Sequence, residues 1–391
     1  MTISLDMFQT AAVAVVMLLL GTWLRKKVGF LERFCIPAPV IGGLLFAVFS
    51  CILYATHVAE LSFDETLKNV SMTIFFTTVG FQANFKTLKQ GGLSLLLFLA
   101  VIFGLTVLQN LTALGISKAM GLDPLLGLCT GSIPMVGGHG TAGAFGPLLE
   151  DLGVTGATTF CTAAATFGLV MGSLMGGPLG ERLIRKHDLL KTAKSAETAG
   201  EDDIEKPTLS GPVSVLVLLL AMGIGSALSQ LLQKTGLTLP SYIGAMIAAA
   251  AIRNIGELSG RGRVSMETLD SVGSVSLSLF LGIAMITLKL WQLAELALPL
   301  LVLLAGQTVL MFLFAYFVVF RIMGRDYDAA VLCAGTCGFG MGATPNAMAN
   351  MQALTGKYVP SVKAFLLVPI VGGMFVDFIN SLVITFFVNI L

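Results

Sequence analysis

Apolar residues run along most of this chain in unbroken stretches that stop at short polar clusters and then resume. Stretches of about 20 residues match the hydrocarbon thickness of a bilayer crossed by a helix. They predict ten spans, near 7–24, 38–56, 67–85, 93–116, 157–184, 212–233, 240–256, 270–290, 297–321 and 361–389. Two stretches break the pattern. Gly131–Gly146 and Gly335–Asn350 lie beside apolar runs yet are too rich in glycine to be stable spans. Glycine and proline weaken a continuous helix, and backbone freed from a helix needs partners that hydrocarbon does not offer. Broken backbone at membrane depth is tolerated only inside protein or beside a wet cavity. Each stretch is therefore expected to form a re-entrant hairpin, near 124–150 and 328–356, entering and leaving on one side.

Composition agrees with a polytopic membrane protein: 55% of residues are hydrophobic and only 12% charged, about half the charge of a soluble domain. A net charge of +1 argues against a nucleic-acid partner. The six cysteines are scattered in apolar context, without C-x-x-C or zinc spacing, and read as small hydrophobes. Asp6 precedes the first run and Arg25-Lys26-Lys27 follow it, the reverse of a cleavable signal. With the N-terminus outside, only Lys68, Lys118, Lys234 and Lys289, of 23 lysines and arginines, fall on the outer side. The positive-inside rule thus sets both termini outside and the polar linker 186–210, with Glu201-Asp202-Asp203, inside.

The chain also repeats itself. At a shift of 202, Ile41-Gly42 meets Ile243-Gly244, Leu67-x-x-Val70 meets Leu269-x-x-Val272, and Gly80 meets Gly282. The same shift pairs Gly104-x-Thr106-Val107-Leu108 with Gly306-x-Thr308-Val309-Leu310, and a shift of 203 pairs Gly121-x-Asp123 with Gly324-x-Asp326. Residues 1–185 and 211–391 each hold five of the spans, an odd number, so the halves insert with opposite orientation. The expected fold is all-α: two inverted five-helix repeats whose hairpins enter from opposite faces and meet near the midplane.

In Gly137-Gly138-His139-Gly140 and Gly338-Phe339-Gly340-Met341-Gly342 the missing side chains let backbone amides approach a ligand. A half-helix starting there points free N–H groups and a positive dipole end at an anion. Freed carbonyls, with the hydroxyls of Ser132, Thr141, Thr336 and Thr344, are hard oxygen donors suited to Na⁺. Close helix packing is the plainer reading of glycine pairs, and it is the one adopted for Gly42-Gly43, Gly176-Gly177 and Gly372-Gly373. After Pro345, Asn346 either caps a helix or binds substrate, and Asn350 is a further Na⁺ candidate. His139 either bonds a substrate carboxylate or is satisfied inside the hairpin. Asp377, alone in an apolar run, is a candidate for Na⁺ or a substrate ammonium, against a buried pair or cap. Gln82, Asn84, Gln109, Asn110 and Gln307 read as glue between helices. There is no nucleophile elbow, metal-spaced histidine cluster or phosphate-binding loop, so uphill transport driven by an ion gradient is favoured over an enzyme.

Longer motifs carry a resemblance. Gly131-Ser132, Gly137-Gly138-His139-Gly140-Thr141, Ala165-Thr166-Phe167-Gly168-Leu169-Val170 and Ser276-Leu277-Ser278-Leu279-Phe280-Leu281 are joined by Leu288-Lys289-Leu290-Trp291 and Tyr327-Asp328-Ala329-Ala330-Val331-Leu332. Cys337-Gly338-Phe339-Gly340-Met341-Gly342-Ala343-Thr344-Pro345 and Ala347-Met348-Ala349-Asn350-Met351-Gln352-Ala353 complete the set. From end to end the chain resembles the bacterial sodium/glutamate symporters. The resemblance implies Na⁺-coupled uptake of L-glutamate in the inner membrane by a homodimer embedded in lipid, with Na⁺ as the coupling ion and no organic cofactor. For such a substrate, the residue reading above offers Gly137, Gly138, His139, Gly140, Thr141, Gly340, Gly342, Thr344, Pro345, Asn346 and Asp377 as the candidates. Ser132, Thr336, Thr344, Asn350 and Asp377 are the Na⁺ candidates. Two alternatives stand beside it: a symporter of another small carboxylate (a hydroxycarboxylate or aspartate), and a passive channel with paired half-helices.

Overall fold

The computed structural model describes residues 2–33, 36–84, 92–192, 209–234, 242–259, 264–291 and 297–391. In chain order the longer helices are α1 (Met7–Lys27), α2 (Ala38–Ala55), α3 (Thr66–Gln82), α4 (Gly92–Ala119), α5 (Gly138–Asp151) and α6 (Ala157–Lys186). They continue with α7 (Gly211–Gln233), α8 (Tyr242–Ser259), α9 (Met266–Ile286), α10 (Ala297–Ile322), α11 (Tyr327–Gly340), α12 (Thr344–Lys357) and α13 (Val362–Ile390). Among the described residues, eight helices are long and apolar enough to cross a membrane: α1, α2, α4, α6, α7, α9, α10 and α13. Helices also occupy the two other predicted positions, with less to span a bilayer. α3 has 17 residues, and α8 ends in polar residues that include the Arg253–Glu257 ion pair at 2.8 Å.

The chain is mostly rather than wholly helical. Thr2–Leu5 (β1) pairs in parallel with Glu60–Phe63 (β2), with Thr2 opposite Glu60 and Leu5 opposite Phe63. Four-residue strands are too short to stand out beside long apolar helices. Asp6 then opens α1 with a capping box: its carboxylate accepts from the Gln9 N–H at 2.8 Å, and its own N–H donates to Gln9 Oε1 at 3.1 Å. Asp64, before α3, accepts from Thr66, and those hydrogen bonds hold its carboxyl below the ordinary carboxylate value. The polar linker expected at 186–210 lies for the most part, at residues 193–208, outside the described residues.

Two compact units divide the chain, and neither is one sequence half. The first takes residues 1–81, 143–160 and 207–298; the second takes 82–142, 161–206 and 299–391. Within the first, glycines set the distance between helices. A Cβ on Gly42 of α2 would stand 1.8 Å from the Met17 carbonyl of α1, and one on Gly244 of α8 would stand 2.1 Å from the Gly225 carbonyl of α7. Side chains at either position would force the paired helices apart. Phe76 stacks on Tyr242 at 3.9 Å, and Phe145 meets the same ring edge-on at 6.2 Å.

The second unit has the larger apolar core, from Leu95, Phe98 and Leu105 on α4 through Leu183 on α6 to Met311, Val331 and Val368. Two of its long helices carry a π-helical turn, at Phe314–Val319 in α10 and Val371–Phe375 in α13. Such turns loosen the regular ladder of backbone hydrogen bonds. In both, a carbonyl accepts from a side chain of the second glycine region. Cys333 Sγ donates to Ala315 C=O at 3.1 Å, and Thr344 Oγ1 to Gly372 C=O at 3.0 Å.

Candidate functional site

The helix breaks of both glycine stretches lie inside the second unit, which in the first stretch ends at Ala142. In the first, Asp123 accepts from the Leu125 N–H at 2.8 Å and starts the short helix Pro124–Leu128. The helix stops, resumes for Ser132–Met135, and stops again before Gly138, whose φ of 58° lies in the left-handed region where a side chain is strained. In the second, Asp326 accepts from the Ala329 N–H at 2.8 Å and starts α11, which ends at Gly340. α12 begins at Thr344-Pro345, where the missing proline N–H costs no hydrogen bond. A Cβ on Gly138 would lie 2.9 Å from the Gly342 carbonyl, so the two clusters meet.

Amide side chains hold the breaks open. Ser132 donates its backbone N–H to Asn110 Oδ1 of α4 at 2.8 Å, and its carbonyl accepts from Asn380 Nδ2 of α13 at 3.0 Å. Gln109 Nε2, on α4, donates to the Gly340 carbonyl at 2.7 Å, and Gln307 Nε2, on α10, donates to the Gln109 carbonyl at 2.8 Å. Asn346 Nδ2 donates to Leu169 C=O at 2.9 Å. Asn350 Nδ2 reaches Gly172 C=O at 2.9 Å and Ala334 C=O at 3.2 Å. These contacts need α6 to come close, and it does through glycines one turn apart. A Cβ on Gly168 would meet the Met341 carbonyl at 2.2 Å, on Gly172 the Cys337 carbonyl at 2.7 Å, and on Gly176 the Asn350 amide at 2.1 Å.

Several oxygens of this arrangement have no protein partner although their residues are fully buried: Ser132 Oγ, Asn346 Oδ1, Asn380 Oδ1, Gln109 Oε1 and Gln307 Oε1. Buried oxygens with unused lone pairs are costly unless something donates to them or coordinates them. An ammonium group, a cation or a water can do so. On Asn346 and Asn380 the amide nitrogens already bond carbonyls, which fixes which end is oxygen.

The remaining candidates are spread more widely. His139 Nε2 lies 3.0 Å from Thr166 Oγ1, whose own hydroxyl donates to Thr162 C=O at 3.0 Å. The Thr166 oxygen therefore accepts, which places the imidazole proton on Nε2. Thr141 packs its hydroxyl over Gly137, and Gly140 lies between it and His139 in the first turns of α5. Thr336, fully buried, donates to Leu332 C=O of its own helix at 2.7 Å. Asp377 follows the π-turn of α13, half-buried, with no hydrogen bond among the described residues, one turn before Asn380. Gln109, Asn110 and Gln307, read from sequence as glue, do bond between elements. The geometry adds Asn380 and Thr166. Asn380 had a signal, a second polar residue one turn beyond Asp377; Thr166 had none.

Apolar helices of membrane length, broken where buried amides and glycines converge, define a multi-pass helical membrane protein of the transporter class. The chain belongs to the sodium/glutamate symporter family, which it matches over residues 3–360. It is 43% identical over 388 residues to the sodium/glutamate symporter of Escherichia coli, covering 97% of this chain and 96% of that one. The sodium/glutamate symporter of Haemophilus influenzae is 39% identical over 393 residues, again covering 97% and 96%. Among solved structures, a sodium proton antiporter from Methanocaldococcus jannaschii aligns over 98% of this chain and 97% of its own. Its TM-score of 0.46 and 13% identity carry no argument.

Proposed function

We propose that this chain is a secondary active transporter, coupling Na⁺ entry to uptake of L-glutamate across the bacterial cytoplasmic membrane, and that it is no enzyme and needs no organic cofactor. The observation that carries this is the meeting of the two broken stretches at Gly138 and Gly342, surrounded by buried oxygens without protein partners. L-glutamate brings two carboxylates and one ammonium. Backbone amides at the starts of α5 and α12, around Gly137, Gly138, His139, Gly140, Thr141, Gly340, Gly342, Thr344 and Pro345, take the carboxylates. Asn346 Oδ1 and Asp377 take the ammonium. Na⁺ uses hard oxygens: Ser132 and Asn380 together, with Thr336, Thr344, Asn350 and Asp377 as the other candidates. Each charge crossing inward with the membrane potential releases about 2.3 kcal/mol per 100 mV, which is the drive for accumulation.

The same proposal includes ten spans in two inverted five-helix repeats, re-entrant hairpins near 124–150 and 328–356, termini outside, linker inside, and a homodimer in lipid. Repeat-related residues with equivalent jobs support it. Gly42 and Gly244, 202 residues apart, each seat their helix on the one before, and Asp123 and Asp326, 203 apart, each start a broken helix.

Radiolabelled L-glutamate uptake into proteoliposomes, with and without an inward Na⁺ gradient, tests the reading. Accumulation only with the gradient, abolished by a sodium ionophore, is the expected result. Equilibration without accumulation means a passive channel, and accumulation of a hydroxycarboxylate or aspartate in preference means a different substrate.

A further inference from the structure

We propose that the first unit holds a second binding site, for an amino acid with two carboxylates, on the middle turns of α5. This rests on the glutamate reading above. A cavity of about 190 Å³ opens there, lined by Gly143, Pro147 and Glu150 of α5, Lys68 of α3, Thr158 of α6, and Lys289 just beyond α9. Positions 143, 147 and 150 are four and three apart, so they share one helix face.

Each wall supplies one part of the chemistry. Pro147 has no N–H, so the Gly143 carbonyl, four residues back, lacks its helical donor and is left as an acceptor. Glu150, at the same face, is pinned by the Thr158 N–H, which donates to Oε1 at 3.0 Å. A carboxylate and a freed carbonyl on one face of the same helix suit an ammonium group. Lys68 is almost wholly buried, its side chain 5% exposed, and pairs with Glu65. Lys289 is exposed and has no partner among the described residues. Glu65 lines the cavity too and neutralises Lys68, which leaves Lys289 and Glu150 as charges of opposite sign facing the opening.

The unmatched cation is Lys289 and the unmatched anion is Glu150, so the cavity complements a molecule carrying both signs. Lys289 takes one of its carboxylates, Lys68, shared with Glu65, takes the other, and Glu150 with the Gly143 carbonyl takes its ammonium. The size fits as well: sites for drug-sized ligands run about 300–1,000 Å³, and an amino acid needs less. Lys68 and Lys289 are also two of the four cations that loop charge assigns to the outer side. The site therefore collects substrate from outside and raises its local concentration.

Uptake kinetics with Lys289→Gln and Glu150→Gln test this, since both side chains are exposed and neither substitution threatens folding. Each is expected to raise the KM for glutamate about two- to fivefold, the effect of one partly exposed ion pair, with Vmax unchanged. Added N-methylglucamine chloride, at fixed Na⁺, should raise the wild-type KM and affect Lys289→Gln less, and Lys289→Arg should restore wild-type behaviour. Na⁺-driven accumulation by wild type with unchanged KM and salt dependence in both variants overturns the second site and leaves the function standing. If wild type accumulates no glutamate, that function falls instead. The site is then decided by calorimetric titration of the full chain with L-glutamate: heat that weakens in Lys289→Gln supports it, and no heat overturns it.

Discussion

Asn346 shows how much one side chain can be asked to do in this protein. Its amide nitrogen ties α12 to the Leu169 carbonyl, and its oxygen, fully buried, faces no protein donor. Alanine there removes one donor from the Leu169 carbonyl, which Ser173 Oγ also reaches at 3.0 Å, a loss of about 0.5–1.5 kcal/mol. Asn346→Ala should thus lower thermal stability and, by removing the oxygen proposed to hold substrate, cut initial uptake rates about ten- to hundredfold. Asn346→Asp separates the roles: it keeps an oxygen but loses the amide donor, so stability should fall while Na⁺ dependence steepens. Wild-type uptake in both variants would remove Asn346 from the site. Gly138 makes a different demand, on the backbone. Its φ of 58° and a Cβ only 2.9 Å from the Gly342 carbonyl mean that Gly138→Ala must shift one broken stretch against the other. The expected outcome is a correctly inserted protein, seen in the membrane fraction, with uptake near background.

At the level of elements, α6 offers a controlled comparison. A Cβ on Gly168 would stand 2.2 Å from the Met341 carbonyl, whereas one on Gly177, on the same helix, would meet nothing within 4 Å. Gly168→Ala should push α6 off the second broken stretch and lower the melting temperature in detergent together with uptake. Gly177→Ala should leave uptake intact and gain up to about 1 kcal/mol from helix propensity alone. Equal effects would mean that these glycines do not set the packing. The π-turn of α13 makes a parallel case, because Thr344 donates to its Gly372 carbonyl. Thr344→Val should impair uptake, and Thr344→Ser, which keeps the donor, should not. Both breaks were legible in the sequence because glycine and proline punctuate a helix wherever it lies. What stabilises them was not, since Ser132 is joined by packing to Asn110, 22 residues away, and to Asn380, 248 residues away. π-turns and four-residue strands escaped for another reason: neither leaves a mark on apolar periodicity.

Of the ten spans expected from the apolar runs, eight are helices long and apolar enough to cross a membrane among the described residues, and the division into units was hidden. Compact units assembled from three stretches each follow from long-range packing, and a chain read in order suggests halves instead. Charge is the property that does act over the whole chain during insertion. Lysines and arginines near the ends of spans decide which loops stay inside, and acidic residues contribute little. With only Lys68, Lys118, Lys234 and Lys289 of 23 cations assigned outside, moving the frame by a single span would reverse the sidedness of every later loop and place Arg253, Arg321 and Lys363 on the wrong face. Alkaline phosphatase fused after Leu391 should therefore be active, since it folds only outside the cytoplasm, and the same enzyme inserted after Ala199 should be inactive. Activity at Ala199 with silence at Leu391 would turn the molecule over and put Lys68 and Lys289 on the cytoplasmic side, where they could not collect substrate for import. Activity at both positions, or at neither, would leave the expected frame at the linker or at the C-terminus. An even number of spans would then lie between them, and with it the inverted orientation of the two halves would fail.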